Sequence, residues 1–206
     1  MTAIDLDALS PRERYKLLCA VVIPRPIAWV TTLSPAETVN AAPFSFFNVF
    51  GADPALVILG LERRADGERK DTAVNIAAGG EFVVNIVTPS LAEAMVASAA
   101  LYPPQTSEPE ALGLALAPSL CVSVPRLAAA PVALECRHRL TLAFSPEREI
   151  VIGEALALNA KDGLIDVERM HVHWGDELPL ARLYAERYAR LEELPGLAIP
   201  ELEVAP

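Results

Sequence analysis

Short apolar runs separated by turn-forming residues dominate this chain, and their lengths and spacing predict β-strands. The run at 27–33 is rich in β-branched residues and ends at Ser34-Pro35-Ala36-Glu37, so it predicts a hairpin with the run that follows. Two longer runs flank the polar turn 145–148 and predict the longest hairpin. The strands predicted in this way are 27–33, 39–43, 56–61, 81–87, 132–144 and 150–159.

Helix-start signals predict two brief helices among these strands. Ser10-Pro11-Arg12-Glu13 is a capping box with proline at the first helical position, which predicts a helix over 11–19. Ser90-Leu91-Ala92-Glu93 repeats the capping-box pattern before an alanine-rich segment, so a second helix should end near 101.

Other segments give weaker helical signals. Asp71 is expected to cap a short helix through about 78, which the following Gly79-Gly80 would end. A last helical piece is predicted at 180–191, ahead of a proline-containing tail at 192–206. The segment 105–118 combines turn-forming residues with weak periodicity and fits either a variable loop or a weak helix.

Hairpin-linked strands with few helices and no glycine-rich dinucleotide fingerprint favour an antiparallel barrel over a doubly wound parallel sheet. Periodicity alone leaves that choice open. With 206 residues, of which 52% are hydrophobic, the chain can bury one substantial core. We therefore expect a single domain over 1–206, with its core at about 15–190.

The charge balance excludes one broad class of function. A net charge of −10 argues against nucleic-acid binding, which requires Lys and Arg to neutralise phosphates. No apolar run approaches the roughly 20 residues of a membrane span, and the acidic N-terminus is unlike a signal peptide, so we expect a cytoplasmic protein without membrane contact. Cys19, Cys121 and Cys136 lack zinc or redox spacing and are expected to be reduced core thiols.

An unusual aromatic segment occupies residues 40–48, with the sequence Asn-Ala-Ala-Pro-Phe-Ser-Phe-Phe-Asn. Three of the six phenylalanines in the chain lie in it, and a fourth follows at Phe50. Aromatic rings beside small hydrogen-bonding residues suit a wall that holds a flat ligand and binds its edge. The alternative is a strand-to-loop corner that packs its aromatic side chains into the core.

A basic cluster lies further along the chain. Arg63, Arg64, Arg69 and Lys70 fall within eight positions of an otherwise acidic chain. Such a cluster can be a solvated loop, or it can hold one small anion such as a phosphate monoester.

Three blocks of the sequence, taken in order, resemble the flavin reductase-like family. They are Pro-Arg-Pro-Ile-Ala-Trp-Val-Thr-Thr at 24–32, the aromatic segment at 40–48, and Arg-Lys-Asp-Thr-Ala-Val-Asn-Ile at 69–76, which Gly-Glu-Phe-Val-Val-Asn follows at 80–85. The resemblance runs from about Tyr15 to Tyr188 and includes later segments at 131–136, 152–154 and 171–176. It implies a mainly β fold, the FMN-binding split β-barrel with a few short peripheral helices, and a homodimer with flavin near the subunit interface.

For the flavin phosphate, the resemblance points to the third block. Lys70 and Thr72 would supply an ammonium and a hydroxyl, and Arg69 is a possible second cation. Asp71 would cap the helix whose N-terminal amides face the phosphate, so it need not touch the anion itself.

For the flavin ring, the resemblance points to the first two blocks. Thr31 or Thr32 would donate a hydroxyl hydrogen bond, and strand alternation favours only one of them, with Thr31 slightly preferred. Ser45, Asn48 and the backbone N–H of Phe46 would bind the pyrimidine edge. Alternatively, Ser45 is a turn hydroxyl and Asn48 a loop-bracing amide.

His171 and His173 are two residues apart and would lie on one face of a strand, a spacing that invites a metal interpretation. That interpretation fails on ligand count, since His138 is the only other histidine, and we expect no metal. A surface or interface pair is the plain alternative, and otherwise His173 would meet nicotinamide, flavin or substrate.

Hydrolytic and phosphoryl-transfer functions lack their usual anchors here, because neither a nucleophile elbow nor a P-loop is present. A flavin enzyme requires no catalytic side chain, since hydride passes directly from nicotinamide to flavin. The expected function is an FMN-dependent oxidoreductase that uses NADH or NADPH and passes electrons to oxygen, free flavin, a partner monooxygenase or another acceptor. The alternative is a non-catalytic FMN-binding or electron-relay protein.

Overall fold

A computed structural model describes residues 1–200 of the chain. The helices are α1 (Pro11–Val21), α2 (Asp71–Gly79), α3 (Ala92–Ala97) and α4 (Glu108–Ala111), with a 3-10 helix at Pro89–Leu91 before α3. The strands are β1 (Ala28–Leu33), β2 (Val39–Phe44), β3 (Phe47–Ala52), β4 (Ala55–Glu62), β5 (Glu81–Ile86), β6 (Leu116–Ala117), β7 (Arg126–Leu127), β8 (Val132–Ser145), β9 (Arg148–Ala160), β10 (Ile165–Asp166), β11 (His171–Val172), β12 (Ala181–Arg182) and β13 (Tyr188–Ala189).

Seven strands form one antiparallel sheet in the order β2-β1-β5-β8-β9-β4-β3. Its two edge strands, β2 and β3, are consecutive in sequence, and only Ser45 and Phe46 connect them. A two-residue connection reaches only about 10 Å, so the sheet must curl until its edges come close together. The chain therefore forms a barrel with one open seam, and Ser45 and Phe46 cross that seam.

The predicted mainly β fold with short peripheral helices is confirmed. The hairpin β1–β2 and the long hairpin β8–β9 form as the apolar runs predict. Strand β3 was not predicted from the sequence. Its register shifts between Val49 and Gly51, and it exposes Asn48, Val49 and Phe50, so it lacks the regular alternation that marks a strand.

Strand β1 is buried on both of its faces. Ala28 and Val30 pack in the barrel core with Phe82 and Leu59. Trp29 points to the other face and packs with Met95 of α3 in a second cluster. A strand covered on both sides has no solvent-facing row, which explains its nearly continuous apolar sequence.

Two helix-start predictions have opposite outcomes. Ser10 caps α1, and the reciprocal bonds of the capping box with Glu13 are both present. The prediction of a second capping box is wrong, because the Ser90 hydroxyl donates to Glu177 instead of capping α3. Helix α3 also ends at Ala97, earlier than predicted.

Two further expectations need correction, and one open assignment is resolved. Lys70 and not Asp71 is the N-cap of α2, and Asp71 is the first helical residue. The helix predicted at 180–191 is instead the hairpin β12–β13, whose strands pair Arg182 with Tyr188. The prediction fails because each of these strands is only two residues long, which is too short to show the alternation that marks a strand. The segment 105–118 contains α4, which Ser107 caps, and strand β6.

The three cysteines do not share one environment. Cys19 and Cys136 are buried, as expected of core thiols, and burial followed by the nearby Glu135 carboxylate raises the pKa of Cys136 to about 12. Cys121 is exposed, so the expectation of a core thiol is wrong there. It lies in a turn that Glu135 holds by accepting hydrogen bonds from the backbone amides of Leu120 and Cys121.

None of the helices formed by residues 1–200 has the length and apolar character needed to cross a membrane. Over the same residues, no group of three or more His, Cys, Asp or Glu side chains is arranged to hold a metal ion. Of the expected tail, residues 192–200 form no regular secondary structure, and 201–206 lie outside the described residues.

Candidate active site

A cleft opens at the seam of the barrel and has two adjoining lobes. The large lobe, of about 210 Å³, is lined by Tyr15, Ser45, Phe46, Arg148, Arg182 and Tyr188, among others. The small lobe, of about 80 Å³, is lined by Asn40, Arg64, Lys70, Asp71, Thr72 and Glu108, among others. Pro43, Phe44 and Ala99 line both lobes, so the two lobes lie side by side and share a wall.

Aromatic and cationic side chains form a wall of the large lobe. The rings of Tyr15 and Phe46 lie 6.0 Å apart between centroids, tilted by 58°. The guanidinium carbon of Arg148 lies 4.9 Å from the Tyr15 centroid and 5.0 Å from the Phe46 centroid. Such a surface suits a flat ring.

Phe46 takes this position because a glycine lies against it. A Cβ built on Gly60 would be 2.8 Å from the Cβ of Phe46, which is too close for two carbon atoms. The Gly60 amide also donates to the Phe46 carbonyl at 2.7 Å across the seam. The close approach of the two backbones thus fixes the connection that lines the cleft.

Arg25 holds the other part of this connection. It is buried, and its guanidinium donates to the carbonyls of Cys19, Val22 and Leu183 at 2.5, 3.1 and 2.7 Å. Its Nε donates to the Ser45 hydroxyl at 3.4 Å. Arg25 therefore connects the end of α1, the β12–β13 hairpin and the seam.

The small lobe contains the N-terminus of α2. Lys70 caps the helix with its backbone, and its ammonium lies 5.5 Å from the Phe44 ring centroid and 3.4 Å from a Glu62 carboxylate oxygen. Arg64 pairs with Asp71 at 2.5 Å and offsets the charge of that carboxylate. The first amides of a helix have no intrahelical acceptor, so this lobe presents donors and a cation to an anion.

A buried polar network forms the floor of the small lobe. The Asn40 side-chain oxygen accepts from the hydroxyls of Thr72 at 2.8 Å and Thr32 at 3.3 Å. The Asn40 amide donates to Glu108 at 2.8 Å, and the backbone amide of Ala41 donates to the same carboxylate at 2.9 Å. Burial raises the pKa of Glu108, although these hydrogen bonds oppose the shift.

A family model for the flavin reductase-like domain matches residues 21–179. Two solved structures are similar over nearly the whole chain. The 2-nitrobenzoate 2-nitroreductase NbaA of Pseudomonas fluorescens is 36% identical, with a TM-score of 0.88 over 100% of this chain and 98% of that chain. Nitrilotriacetate monooxygenase component B of Bacillus cereus is 34% identical, with a TM-score of 0.89 over 96% of this chain and 98% of that chain.

The chain belongs to the flavin reductase-like family. A split barrel domain protein of Shewanella frigidimarina also has the same fold, with a TM-score of 0.81 at 20% identity over 94% of this chain and 96% of that chain. The seam between β2 and β3 is thus the opening of a split β-barrel.

In this member of the flavin reductase-like family, the cleft brings together five of the residues expected at a flavin. Ser45 and Phe46 line the large lobe. Lys70, Asp71 and Thr72 line the small lobe. The Thr72 hydroxyl already donates to Asn40, so the group that Thr72 can offer to a ligand is its backbone amide.

Four other expected residues do not line the cleft. Thr31 and Thr32 are fully buried, and the Thr31 hydroxyl donates to the Pro125 carbonyl at 2.8 Å. Asn48 is exposed on β3, where its side chain accepts from the amide of Val49. Arg69 makes a bidentate ion pair with Glu149 of β9.

His173, expected near nicotinamide, flavin or substrate, also lies outside the cleft. His173 is exposed beyond β11, where its amide donates to the Leu164 carbonyl, and it lines neither lobe. The placement of the buried threonines has a structural cause, since β1 has strands on both sides and is covered on both faces. The four residues of the preceding paragraph and His173 therefore line neither lobe of the cleft.

Several residues that line the large lobe were not predicted from the sequence. Tyr15 comes from α1, Arg148 from β9, and Arg182 and Tyr188 from a hairpin mistaken for a helix. Each lies tens of residues from the aromatic segment in the sequence, and only the folded barrel brings them together. A hint was available only for Arg148, since the tight turn 145–148 places it at the start of a long strand.

Proposed function

We propose that this protein is an FMN-dependent NAD(P)H oxidoreductase of the flavin reductase type. The observation that supports this proposal is the two-lobed cleft, which places an aromatic wall beside a cationic helix N-terminus. FMN has the matching parts, a flat ring and a phosphate. When bound, it supplies hydride acceptance from a nicotinamide and electron delivery to an acceptor.

The small lobe fits the phosphate. Lys70 supplies an ammonium, and the free amides of Asp71 and Thr72 at the start of α2 supply directed donors. The Asp71 carboxylate would repel a phosphate, but Arg64 neutralises it. The groups that would attract the phosphate are therefore the helix amides and the Lys70 ammonium.

The large lobe fits the ring. The Phe46 ring provides a flat surface, and the Ser45 hydroxyl and the Phe46 amide lie at the seam, where they can bind the edge of a pyrimidine. The Ser45 hydroxyl accepts from Arg25, so its own proton remains available to donate. The chain's residues would thus orient the ring, and no side chain needs to act as an acid or a base.

We also propose a homodimer. Val49, Phe50 and Leu158 are 65%, 75% and 52% exposed on strands β3 and β9. Val49 and Leu158 line a shallow apolar depression of about 340 Å³ on this side of the barrel. Exposed apolar patches of this kind usually mark an interface, and a second copy of the chain is the simplest occupant.

The electron acceptor of the proposed enzyme is a small aromatic molecule or a partner protein. The similar structures include a nitroreductase and a component of a monooxygenase. Both a small aromatic acceptor and a partner monooxygenase are therefore reasonable destinations for the electrons.

The test combines binding with reduction. FMN and riboflavin are titrated into the apo protein with flavin fluorescence as the signal, and NADH or NADPH is then added to the FMN complex without oxygen. We expect FMN to bind more tightly than riboflavin, and one nicotinamide to bleach the flavin absorbance. Equal affinities would contradict the phosphate assignment. Tight FMN binding without bleaching by either nucleotide would instead support the non-catalytic alternative.

A further inference from the structure

Arg182 differs from the other cations that line the cleft. Arg64 pairs with Asp71, and both Lys70 and Arg148 pair with Glu62. Among the described residues, Arg182 has no carboxylate partner. Of the cations that line the cleft in this part of the chain, Arg182 is thus the one without a carboxylate partner.

The fold holds Arg182 firmly in place. Its backbone exchanges two hydrogen bonds with Arg25, at 2.9 and 3.0 Å. The neighbouring Leu180 is buried and donates its amide to the Val87 carbonyl at 2.7 Å. A side chain on so well anchored a hairpin is pre-organised for a ligand.

The neighbours of the Arg182 guanidinium are neutral. One terminal nitrogen donates to the Tyr188 hydroxyl and the other to the Ala185 carbonyl, and the guanidinium carbon lies 4.6 Å from the Tyr188 ring centroid. The Nε atom is buried and has no hydrogen-bond partner. A partly buried guanidinium with an unused donor and no counter-charge favours an anion as its next neighbour.

We propose that Arg182 binds the anionic group of a second, planar ligand in the large lobe. This inference rests on the proposed function, because the second ligand is the one that exchanges electrons with the flavin. The flavin phosphate is not that anion, since Lys70 lines the small lobe and Arg182 lines only the large one. Arg182 is thus a specificity residue for the co-substrate.

The chemistry that Arg182 recognises is a carboxylate or phosphate attached to a flat ring. An aromatic carboxylate acceptor and a nicotinamide nucleotide both have this chemistry. The Tyr188 ring beside the guanidinium supplies an aromatic surface for the ring portion. A neutral ring of the same size should bind less tightly, because it leaves the guanidinium uncompensated.

The test measures binding by calorimetry, with and without FMN, so it does not depend on turnover. The ligands are benzoate, its neutral counterpart benzamide, and NAD⁺. The variants are Arg182→Gln, which removes the charge, and Arg182→Lys, which keeps it. Arg187→Gln is the matched control, because Arg187 is exposed on the same hairpin, stacks on Tyr184 and does not line the cleft.

We expect wild-type protein to bind benzoate or NAD⁺, and Arg182→Gln to weaken that binding by at least about tenfold, equivalent to ~1.4 kcal/mol. Arg182→Lys should recover part of the loss, and Arg187→Gln should match wild type. A loss confined to benzoate identifies an aromatic carboxylate, and a loss confined to NAD⁺ identifies a nucleotide phosphate.

The proposal is overturned if Arg182→Gln binds both benzoate and NAD⁺ as tightly as wild type does. It is also overturned if wild type binds benzoate and benzamide equally and the substitution leaves NAD⁺ affinity unchanged. If Arg182→Gln does not fold, the Arg182→Lys variant and the benzoate and benzamide comparison on wild type decide the question. A protein that discriminates the anions but binds no FMN would contradict the proposed function and leave the anion subsite standing. FMN binding without discrimination would overturn the subsite alone.

Discussion

Arg25 Nε donates to the Ser45 hydroxyl at 3.4 Å, so a buried guanidinium braces the residue that crosses the barrel seam. The same guanidinium ties the end of α1 to the β12–β13 hairpin through three backbone carbonyls. One side chain thus positions elements from the two ends of the sequence around the large lobe.

Arg25→Met should destabilise the protein by about 2–4 kcal/mol, because it leaves several buried carbonyls without donors. Arg12→Met is the control, since Arg12 is exposed on α1 and should change stability by less than about 0.5 kcal/mol. Urea denaturation of both variants measures the difference. Equal stability of the two variants would show that water replaces the guanidinium at no cost.

Lys70→Ala should weaken FMN binding by at least about tenfold and leave riboflavin binding unchanged. Only FMN has a phosphate, so only FMN loses a charge-assisted hydrogen bond when the ammonium is removed. The apo protein should keep its melting temperature, since the pair of Lys70 with Glu62 is partly exposed and contributes little. Fluorescence titration and thermal denaturation measure the two effects.

The matched control for that variant is Arg69→Ala. Arg69 is the adjacent cation, but it pairs with Glu149 and lines neither lobe, so its removal should not change FMN affinity. An equal loss of FMN binding in both variants would indicate a general charge effect and not a phosphate contact at Lys70.

Ser45→Ala should change the absorbance spectrum or the reduction potential of bound flavin more than it changes FMN affinity. The reason is that a hydroxyl at the ring edge tunes the ring, whereas the phosphate contacts lie in the other lobe. Ser145→Ala, in the exposed β8–β9 turn, is the control. Spectra and potentials identical to wild type would leave Ser45 with the bracing role that its bond to Arg25 already shows.

The strands of the barrel could be predicted because their apolar runs are local patterns. The seam could not, since it depends on the pairing of strands far apart in sequence, and β3 has an irregular register after Val49. The phosphate end of the proposed site is similarly local, as Lys70, Asp71 and Thr72 are consecutive at one helix start. Arg182 could not be found, because its hairpin is two residues long on each side.

The burial of Thr31 and Thr32 illustrates a second limit of sequence analysis. Alternation along a strand indicates which residues share a face, but it cannot tell how each face is covered. Here helices and loops cover both faces of β1, and both hydroxyls bond within the protein. The same residues in a strand with one open face would have been available to a ligand.

Glu108→Gln should alter the pH dependence of stability. Burial raises the pKa of Glu108 above its usual 4.5, so the stability that its neutral form contributes is complete below about pH 4.5 and is lost as pH rises through the raised value. Glutamine does not titrate. The stability lost on substitution should therefore be larger at pH 4.5 than at pH 7.5.

Glu110→Gln, an exposed position on the same short helix, is the control and should show no such trend. Urea denaturation at the two pH values measures both variants. A cost for Glu108→Gln that grows with pH would mean that the hydrogen bonds from Asn40 and Ala41 outweigh burial and favour the carboxylate.

Val49→Asp should separate the proposed dimer. Val49 is 65% exposed, so a charge there should not disturb the folded chain, but it would be desolvated in an apolar contact with a second copy. Sedimentation at micromolar concentration should give about twice the mass of the 22.1 kDa chain for wild type and one chain mass for the variant. Val167→Asp is the control, because Val167 is 69% exposed outside the β3 and β9 surface and should leave the dimer intact. If the flavin lies near the interface, Val49→Asp should also weaken FMN, whereas a monomeric variant with unchanged FMN affinity would place the whole site within one chain.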